Sequence, residues 1–397
     1  MQANGQSFEI MLVAGEASGD GHGAALAREM QKVIPEAHLF GMGGQVMAKA
    51  GVEILFDAAK ISVMGGVEVI TRLPVIFSAF RALKNALRAR RPALVILIDL
   101  PDFNLRLAKL AKNLGIPVLY YITPQVWAWR AGRVKTLGER TDRLAVILPF
   151  EEGFFRARGV AAHYVGHPLL DHEPARLSPE EFRTRLGIAE DALCIGLLPG
   201  SRQRELKSLL PVFLQAAALL RQRRPEKLVF LLPLASTLKE ADLEAAGLRQ
   251  YRGALDIRVV TADHRALMAC CRAAMAASGT VTLELALADT PMVVCYKLAP
   301  ISYFLGKMLI HVPFFSLVNL IAEKKVVPEL LQRQVSAETI AASLSPLVDD
   351  GPARHETLSG LELVRARLGS PGASVRVAKM AKAVTGPKWQ AGQDERR

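Results

Sequence analysis

The chain has 397 residues, of which 51% are hydrophobic and 22% are charged. This composition is close to that of globular proteins and argues against a mostly disordered or fibrous chain. At ~150 residues per domain, the length predicts two to three domains and excludes a miniprotein that depends on disulfides. The 50 Lys and Arg residues exceed the 38 Asp and Glu residues by 12. Such an excess favours anionic partners such as nucleic acid, anionic membrane or phosphorylated substrates.

Cysteine spacing and hydropathy indicate the compartment. Cys194, Cys270, Cys271 and Cys295 follow no CxxC or Cys/His spacing, so we expect buried reduced thiols rather than a zinc site. The first ten residues lack the basic region and the apolar run of a secretory signal. The longest apolar stretch, residues 308–322, is interrupted by polar residues and is shorter than the ~20 residues that cross a bilayer. These features predict a cytoplasmic protein without a membrane span.

Short apolar runs rich in Val, Ile and Leu alternate with helical patterns along the chain. Continuous apolar runs are typical of strands that are buried on both faces, so they predict parallel sheets covered by helices. The pattern therefore indicates an α/β protein. The predicted strands are residues 10–14, 93–98, 117–122 and 144–148, followed by 194–198, 228–232, 257–260 and 292–296.

The alternation of strands and helices pauses at residues 167–182, where prolines and charged residues precede a helix that Ser178 and Glu181 are expected to cap. We place a domain boundary there, with one domain over residues 1–170 and a second over 171–369. Both halves open alike, with an apolar strand, a glycine-containing turn and a helix. Two Rossmann-like domains with parallel sheets that face each other across a cleft are the predicted architecture.

The turn after the strand at 194–198 has features of a phosphate-binding site. Gly200, Ser201 and Arg202 follow this strand at the point where a helix begins. A helix N-terminus offers free N–H groups and about half a positive charge to a phosphate, and the Arg202 guanidinium adds a bidentate donor. The alternative is that Ser201 only caps the helix and that Arg202 lies in solvent.

A second turn, at Ser278, Gly279 and Thr280, has the same design, with Glu284 one helical turn later. Its hydroxyl and N–H groups suit a diphosphate, and an ionised Glu284 suits two adjacent ribose hydroxyls. The alternative is a capping box with Ser278 or Thr280 as the cap. Two such turns in one domain favour a nucleoside diphosphate. Because no DxD pair is present to hold a nucleotide-bound metal, we expect neither a metal nor another cofactor.

Asp99 is a candidate general base. It follows the strand at 93–98, and Asp102 is better placed than Asp99 to cap the next helix. A carboxylate at the carboxyl end of a parallel strand faces the crevice in which open α/β sheets bind ligands, where it could accept a proton from an attacking hydroxyl. The alternative is a buried Asp99 whose carboxylate accepts hydrogen bonds from backbone N–H groups only.

Three further features are open to two interpretations. Trp127 and Trp129 would share a face if extended, and they suit core packing as well as a platform for a sugar or acyl chain. His167 is more often structural than catalytic in such a position. In residues 61–91 an apolar part leads into a basic helix, which is either a solvated face over the core or a contact with anionic lipid. The basic residues concerned are Arg81, Lys84, Arg88, Arg90 and Arg91.

A series of segments, in the same order over about 320 residues, resembles the lipid-A-disaccharide synthase family. Each segment alone is unspecific, but the series is a strong signal. The segments are AGEASGD (14–20), GMGG (41–44), SVMG (62–65), DLPDFN (99–104), YYITPQVWAW (120–129), ILPFE (147–151), YVGHPL (164–169), LLPGSR (197–202), SGTVTLE (278–284) and PELLQ (328–332).

The resemblance implies a GT-B fold and an inverting transfer of diacylglucosamine from UDP-2,3-diacylglucosamine to 2,3-diacylglucosamine 1-phosphate (lipid X). The products would be a β-1,6-linked disaccharide and UDP, in a step of lipid A biosynthesis. The family also implies peripheral attachment to the inner membrane, whose anionic surface would attract the basic chain. As in other GT-B enzymes, a helix near residues 370–390 is expected to pack back on the first domain.

The resemblance also assigns roles to individual residues. Asp99 matches the general base, and Arg202 and Glu284 match positions that serve UDP. The loop from Gly15 to Asp20 would line the acceptor side. The full nucleotide set is Gly200, Ser201, Arg202, Ser278, Gly279, Thr280, Glu284 and Asn319, and the acceptor-side set is Gly15, Glu16, Ser18, Asp20 and Met64.

Other function classes remain open. Another GT-B UDP-sugar transferase or epimerase is the nearest alternative. An NAD-dependent oxidoreductase is disfavoured, because residues 19–24 match the dinucleotide fingerprint only loosely and residues 38–41 lack the acid that would bind a ribose. Nucleic acid is disfavoured because the basic residues form no recognised binding motif with aromatics. A non-catalytic peripheral membrane protein is also open, as is the oligomeric state.

Overall fold

The chain divides into two compact units. The first domain comprises Met1–His172 and Ser370–Arg397, and the second comprises Glu173–Gly369. In sequence, the second domain is therefore inserted between two parts of the first. The computed structural model describes residues 8–15, 17–61, 68–129, 132–171, 173, 175–298 and 313–394.

Within the described residues, seven strands form the sheet of the first domain, and all pair in parallel, as their continuous apolar runs predict. They are β1 (Glu9–Ala14), β2 (His38–Gly43), β3 (Glu53–Asp57), β4 (Leu94–Ile98), β5 (Val118–Tyr121), β6 (Arg143–Val146) and β7 (Ala162–Tyr164). Their order across the sheet is β3-β2-β1-β4-β5-β6-β7.

Helices cover both faces of this sheet. Alternate residues of β1 belong to two separate cores, because successive side chains of a strand point to opposite faces. Met11 and Val13 pack in one core, and Ile10 and Leu12 pack in the other. The helices are α1 (Ala17–Val33), α2 (Gln45–Lys49), α3 (Glu68–Arg90), α4 (Pro101–Asn113), α5 (Val126–Trp129), α6 (Arg133–Arg140) and α7 (Pro149–Arg156).

The second domain repeats this design with a second parallel sheet. Its strands in the described residues are β8 (Leu193–Leu198), β9 (Leu228–Pro233), β10 (Asp256–Val260), β11 (Ala273–Ala277), β12 (Met292–Tyr296) and β13 (Glu329–Leu331). Their order across the sheet is β10-β9-β8-β11-β12-β13. Ser178 and Glu181 form the predicted capping box at its first helix. Its helices are α8 (Pro179–Arg185), α9 (Gln203–Arg223), α10 (Glu240–Ala245), α11 (His264–Cys270), α12 (Val281–Leu287), α13 (Leu317–Ala322), α14 (Ala337–Val348) and α15 (Pro352–Leu368).

A helix that follows the second domain in sequence, α16 (Ala373–Asp394), belongs to the first domain and packs on α1. Asp171 fixes its N-terminus, because its carboxylate accepts hydrogen bonds from the N–H groups of Gly372, Ala373 and Ser374 at 2.5, 3.1 and 3.0 Å. A carboxylate at this end is also favoured by the helix dipole. The side chains of α16 that complete the core are Val377, Ala378 and Ala381.

The YVGHPL motif contributes to the docking of α16. The Arg376 side chain of this helix donates from Nε to the Val165 carbonyl oxygen at 2.8 Å. Gly166 has φ +81°, which favours glycine, and a Cβ atom there would lie 2.4 Å from Arg376 Nη2 and displace the guanidinium. Buried His167 accepts a hydrogen bond at Nδ1 from the Leu169 N–H. Within the described ranges, no helix combines the length and the apolar composition needed to cross a bilayer.

Candidate active site

Asp99 and Gly15 begin neighbouring loops at the carboxyl edge of the first sheet. Ala14, the last residue of β1, pairs with Ile98, the last residue of β4. The helices that follow these two strands pack in different cores, α1 with one face of the sheet and α4 with the other. Open α/β sheets bind ligands at the point where the connections diverge in this way. The sheet topology therefore places Asp99 at the edge where open α/β sheets bind ligands.

The backbone at Asp99 is strained and is held by two side chains. Asp99 and Leu100 have φ values of +52° and +45°, in the left-handed region that residues with a side chain seldom adopt. The Asp99 carbonyl oxygen accepts hydrogen bonds from Tyr120 Oη at 2.6 Å and from Asn104 Nδ2 at 2.7 Å. Burial raises the pKa of Tyr120, and the Asp99 charge raises it further. The hydroxyl thus remains a donor that fixes the half-buried Asp99.

The prediction that Asp102 caps α4 is wrong. The helix begins at Pro101, and its N-cap residue is Leu100, which makes no side-chain capping bond. Proline starts a helix readily, because it has no N–H group to satisfy and its φ angle is already helical. Asp102 instead forms an exposed ion pair with Arg133, with 2.7 Å between Oδ1 and Nη2.

The loop after β1 holds part of the expected acceptor-side set. Gly15 lies so close to the loop after β4 that a Cβ atom at this position would be 2.3 Å from Leu100 Cδ2. Ser18 is exposed in the first turn of α1. Glu16 and Met64, which belong to the same expected set, lie outside the described residues.

Asp20 positions a neighbouring turn. It is 7% exposed, and its carboxylate accepts hydrogen bonds from the N–H groups of Gly44, Val46 and Met47 at 2.7, 3.0 and 3.0 Å. A Cβ atom at Gly44 would lie 2.6 Å from Asp20 Oδ2, which explains the last glycine of the GMGG motif. We infer that Asp20 ties this turn to α1 rather than contacting an acceptor directly.

The two glycine turns of the second domain lie beside each other. Leu198, the last residue of β8, pairs with Ala276 of β11. The turn that starts at Pro199 and the turn that starts at Ser278 therefore leave the same edge of the sheet from adjacent strands. This arrangement corresponds to that of β1 and β4 in the first domain.

At the first turn, the helix begins later than the serine-cap interpretation assumes. Helix α9 starts at Gln203, and Arg202 rather than Ser201 is its N-cap residue. Glu205 Oε2 accepts a hydrogen bond from the Arg202 N–H at 3.4 Å. Gly200 has φ +101°, and a Cβ atom there would lie 2.2 Å from Glu205 Oε2. The Arg202 side chain is 74% exposed beside the start of a 21-residue helix, and its Nη1 pairs with Glu205 Oε1 at 3.3 Å. An anion that binds the guanidinium would compete with this exposed ion pair.

At the second turn, the capping-box interpretation is wrong. Thr280 is the N-cap residue of α12, but it is exposed and makes no side-chain capping bond. The Ser278 hydroxyl donates to the Phe315 carbonyl oxygen at 3.1 Å. Gly279 has φ +155° and open space around its Cα. The turn therefore leaves the Thr280 hydroxyl and a glycine backbone accessible.

Glu284 is a carboxylate without a polar partner in the described part of the chain. Burial raises its pKa, and the charges of Arg265 and His264 lower it in part. Among the described residues, no hydrogen bond or ion pair engages its side chain. A half-buried carboxylate that is not engaged is suited to accept hydrogen bonds from a ligand's hydroxyl groups. Groups of three or more His, Cys, Asp or Glu that could hold a metal are absent from the described ranges.

Asn319 is buried and its amide is fully engaged. Its Nδ2 donates to the Val327 carbonyl oxygen and to Glu329 Oε1, both at 2.9 Å. Its Oδ1 accepts from the N–H groups of Val326 and Val327 at 2.7 and 2.9 Å. These bonds leave no hydrogen-bonding position for a nucleotide, so the expected contact of Asn319 with UDP needs correction. The residue holds the loop before β13.

Glu151 is a buried carboxylate that sequence reasoning missed. It accepts hydrogen bonds from Trp127 Nε1 at 3.0 Å and from the N–H groups of Leu148 and Ile147 at 2.9 and 3.2 Å. Burial raises the pKa of Glu151 to about 7, against the effect of these bonds. Trp127 therefore lies in a helix with a fixed partner, not in an extended segment, and the side chain of Trp129 lies outside the described residues. The ILPFE motif is the signal that marks this carboxylate.

Comparison with known families identifies the chain. A family model described as lipid-A-disaccharide synthetase matches residues 10–376. The chain belongs to this family. It is 45% identical over 372 residues to the lipid-A-disaccharide synthase of Geobacter sulfurreducens, with 94% of this chain and 96% of the relative covered. It is 44% identical over 372 residues to that of Myxococcus xanthus, with 93% and 96% covered. This member of the lipid-A-disaccharide synthase family is thus a glycosyltransferase of lipid A biosynthesis.

Solved structures confirm the fold. The UDP-GlcNAc 2-epimerase of Neisseria meningitidis, solved with UDP-GlcNAc bound, matches with a TM-score of 0.64 at 11% identity, covering 94% of this chain and 99% of that one. MurG of Acinetobacter baumannii matches with a TM-score of 0.57 at 16% identity, covering 94% and 98%. The two parallel-sheet domains of this synthase-family chain are those of GT-B glycosyltransferases, as the sequence resemblance implies.

The buried Glu151 predicts a pH-dependent stability of the first domain. Because its folded-state pKa is raised to about 7, its favourable contribution is complete below its unfolded pKa of about 4.3 and is lost as pH rises through 7. Glu151→Gln removes this titration. The unfolding free energy of the native chain, minus that of the variant, should fall by about 3 kcal/mol between pH 4 and 8.

Urea unfolding followed by tryptophan fluorescence measures this difference, because all three tryptophans belong to the first domain. Glu139→Gln, which changes an exposed glutamate, is the matched control and should show no such slope. A pH-independent difference for Glu151→Gln would contradict the prediction.

Proposed function

We propose that the chain transfers a 2,3-diacylglucosamine unit from UDP-2,3-diacylglucosamine to the 6-hydroxyl of 2,3-diacylglucosamine 1-phosphate, with inversion at the anomeric carbon. The products are the β-1,6-linked lipid A disaccharide 1-phosphate and UDP. Family membership over residues 10–376 supports the substrates. The observation that carries the mechanism is the position of Asp99, at the end of β4 beside the loop that follows β1.

In this proposal Asp99 is the general base. A sugar hydroxyl is a weak nucleophile at neutral pH, and a positioned carboxylate that takes its proton contributes ~100 to 10,000-fold to the rate. Inversion follows from a single displacement, in which the acceptor oxygen attacks the anomeric carbon from the side opposite to the departing UDP. The bonds from Tyr120 and Asn104 to the Asp99 carbonyl oxygen fix the backbone from which the carboxyl group projects.

The second domain binds the nucleotide in this proposal. UDP gains negative charge as the glycosidic bond breaks, and the exposed Arg202 guanidinium and the N-terminus of α9 stabilise that charge. Thr280 and the backbone at Gly279 add donors to the diphosphate. Glu284 accepts hydrogen bonds from the ribose hydroxyls. Protein groups, and not a divalent cation, carry the diphosphate charge.

We further propose that the protein docks on the anionic cytoplasmic surface of the inner membrane through an exposed stripe of α3. The stripe consists of Leu73, Phe77, Arg81, Lys84 and Arg88, whose spacing of three or four residues places them on one helix face. All are exposed except Lys84, which is half-buried. Leu73 and Phe77 are 43% and 64% exposed, whereas the opposite face of α3 is buried in the core. An apolar end beside a basic end provides the two signals that reversible attachment requires.

The first prediction of this proposal concerns Asp99. Asp99→Asn retains the shape of the side chain, and asparagine tolerates the left-handed backbone. We expect disaccharide formation from the two diacylated substrates to fall at least ~100-fold, while UDP binding is unchanged. Asp102→Asn, three residues later and exposed, is the matched control. Near-normal turnover of Asp99→Asn would remove Asp99 from the mechanism, and no disaccharide from the native chain would refute the proposed function.

A second prediction concerns the nucleotide. UDP at a hundredfold excess over its dissociation constant should stabilise the protein by ~2.7 kcal/mol, whereas NAD should have no effect. Arg202→Ala and Glu284→Ala should each reduce the UDP-induced rise in melting temperature. Arg204→Ala, an exposed arginine in the first turn of α9, should leave it intact. Equal shifts in all three variants would place the nucleotide elsewhere.

The membrane proposal predicts salt-sensitive binding to anionic vesicles. The α3 variant changes the three basic residues of the stripe, Arg81, Lys84 and Arg88, and also Arg91, which follows the helix, to Ala. It should weaken binding at low salt by up to ~4 kcal/mol, at ~1 kcal/mol per residue. Added salt should weaken native binding as the Debye length falls toward ~3 Å at 1 M. Co-sedimentation across a salt series measures both effects. The control replaces four exposed basic residues elsewhere, Arg28, Lys49, Arg223 and Lys379.

Equal loss of binding in the two fourfold variants would show that net charge alone attracts the protein. Full binding by the α3 variant at low salt would show that the stripe is a solvated face. Residual binding that ignores salt, and that Phe77→Ser abolishes, would assign the remainder to the apolar end of the stripe.

A further inference from the structure

Two cysteines are in contact at the amino ends of the strands of the second sheet, opposite to the carboxyl ends from which the glycine turns leave. Cys194 is the second residue of β8, and Cys270 is the last residue of α11. Their Sγ atoms are 3.5 Å apart. A disulfide has an S–S distance of ~2.05 Å, so a relative shift of roughly 1.5 Å would join the two sulfur atoms. The pair is separated by 76 positions in sequence, so its contact is a product of the fold.

An arginine lies beside this pair. Arg183 Nη1 is 3.5 Å from Cys194 Sγ, and Nη2 of the same guanidinium is anchored by the carbonyl oxygens of Ala189, Glu190 and Ala192. The contact with the Cys194 thiol and the charge of Arg183 lower the pKa of Cys270. The contact with Cys270 and burial raise the pKa of Cys194. Cys270 is therefore the more acidic thiol of the pair.

The other two cysteines have different surroundings. Cys271 is buried, its Sγ donates to the Leu267 carbonyl oxygen at 3.1 Å, and burial raises its pKa. Cys295 is buried in a central strand, and burial raises its pKa to about 12. Cys270 is partly exposed. Accessibility and a lowered pKa, which together favour the reactivity of a cysteine, thus coincide at Cys270.

We propose that Cys194 and Cys270 form a reversible oxidation site that a hydroperoxide converts from dithiol to disulfide. The Cys270 thiolate attacks the peroxide, so that an S–O bond forms, the O–O bond breaks, and water or an alcohol leaves after taking up a proton. Cys194 sulfur then attacks the Cys270 sulfenic acid, the S–O bond breaks, and water leaves with the Cys194 proton. The two sulfur atoms lose two electrons in total, and the peroxide gains them.

This proposal does not depend on the assignment of substrates, since the pair lies at the opposite edge of the sheet from Gly200 and Ser278. A disulfide would covalently join the end of α11 to β8. Because a thiol reductant opens the bond by exchange, the modification is reversible.

Peroxide titration of the full-length chain tests the proposal. After treatment and denaturation, we expect the mass to fall by two hydrogen atoms and two of the four thiols to become inaccessible to alkylation. Peptide mapping without reduction should join Cys194 to Cys270, and dithiothreitol should restore both thiols. Four free thiols, at peroxide concentrations that oxidise a cysteine-containing peptide, would overturn the proposal, as would a bond to Cys271 or Cys295.

Two variants separate the steps. Cys194→Ser removes the resolving thiol, so a dimedone adduct should accumulate on Cys270; an adduct on Cys271 instead would overturn the assignment. Cys271→Ser should still form the disulfide. If Cys194→Ser fails to fold by circular dichroism, alkylation of the native chain decides. Cys270 should then react on the order of tenfold or more faster than Cys271, and equal rates would contradict the proposal.

Discussion

Parallel pairing of strands inside each sheet is the constraint that brings together the candidate functional loops of both domains. β1 pairs with β4, and β8 pairs with β11. Parallel strands end at one edge, so the loops that follow each pair lie side by side, although long stretches of sequence separate them. The loops at Gly15 and Asp99 meet in this way in the first domain. The positions of the candidate chemical groups thus follow from strand order before any side chain is considered.

Buried polar side chains then fix the loops that the strands bring together. Asp20 holds the turn at Gly44, Asn319 and Glu329 hold each other and the backbone around them, and Glu151 holds Trp127. Each interaction satisfies backbone or side-chain donors that would otherwise be buried without a partner, which is costly in a dry interior. The residues that motif comparison selects therefore serve two purposes, since some of them present groups to solvent and others hold the loops in place.

The extent to which sequence predicted this molecule depended on how local each signal was. Strands rich in Val, Ile and Leu were recognisable from the sequence. β11 reads AAMAA and was not among the predicted strands, because alanine is disfavoured in strands. The central, fully buried position of β11 in the sheet overrides that preference. Asp20 binds partners 24 residues or more away, and Glu151 binds Trp127 at a separation of 24 residues, so these contacts could not be read from spacing. The left-handed backbone at Asp99 was likewise invisible, as it depends on Tyr120 and Asn104.

Because α16 belongs to the first domain but follows the second domain in sequence, the two domains cannot complete their cores in the order in which they begin. On the ribosome, the side chains of α16 that complete the core around α1 emerge only after the whole second domain has been made. About 200 residues intervene, which at 5–20 residues per second corresponds to on the order of 10–40 s. The part of α1 that α16 covers stays exposed to solvent during that interval. The second domain is contiguous in sequence and can complete its own core as soon as it has been made. The first domain, most of which precedes the second in sequence, therefore completes its core after the second domain.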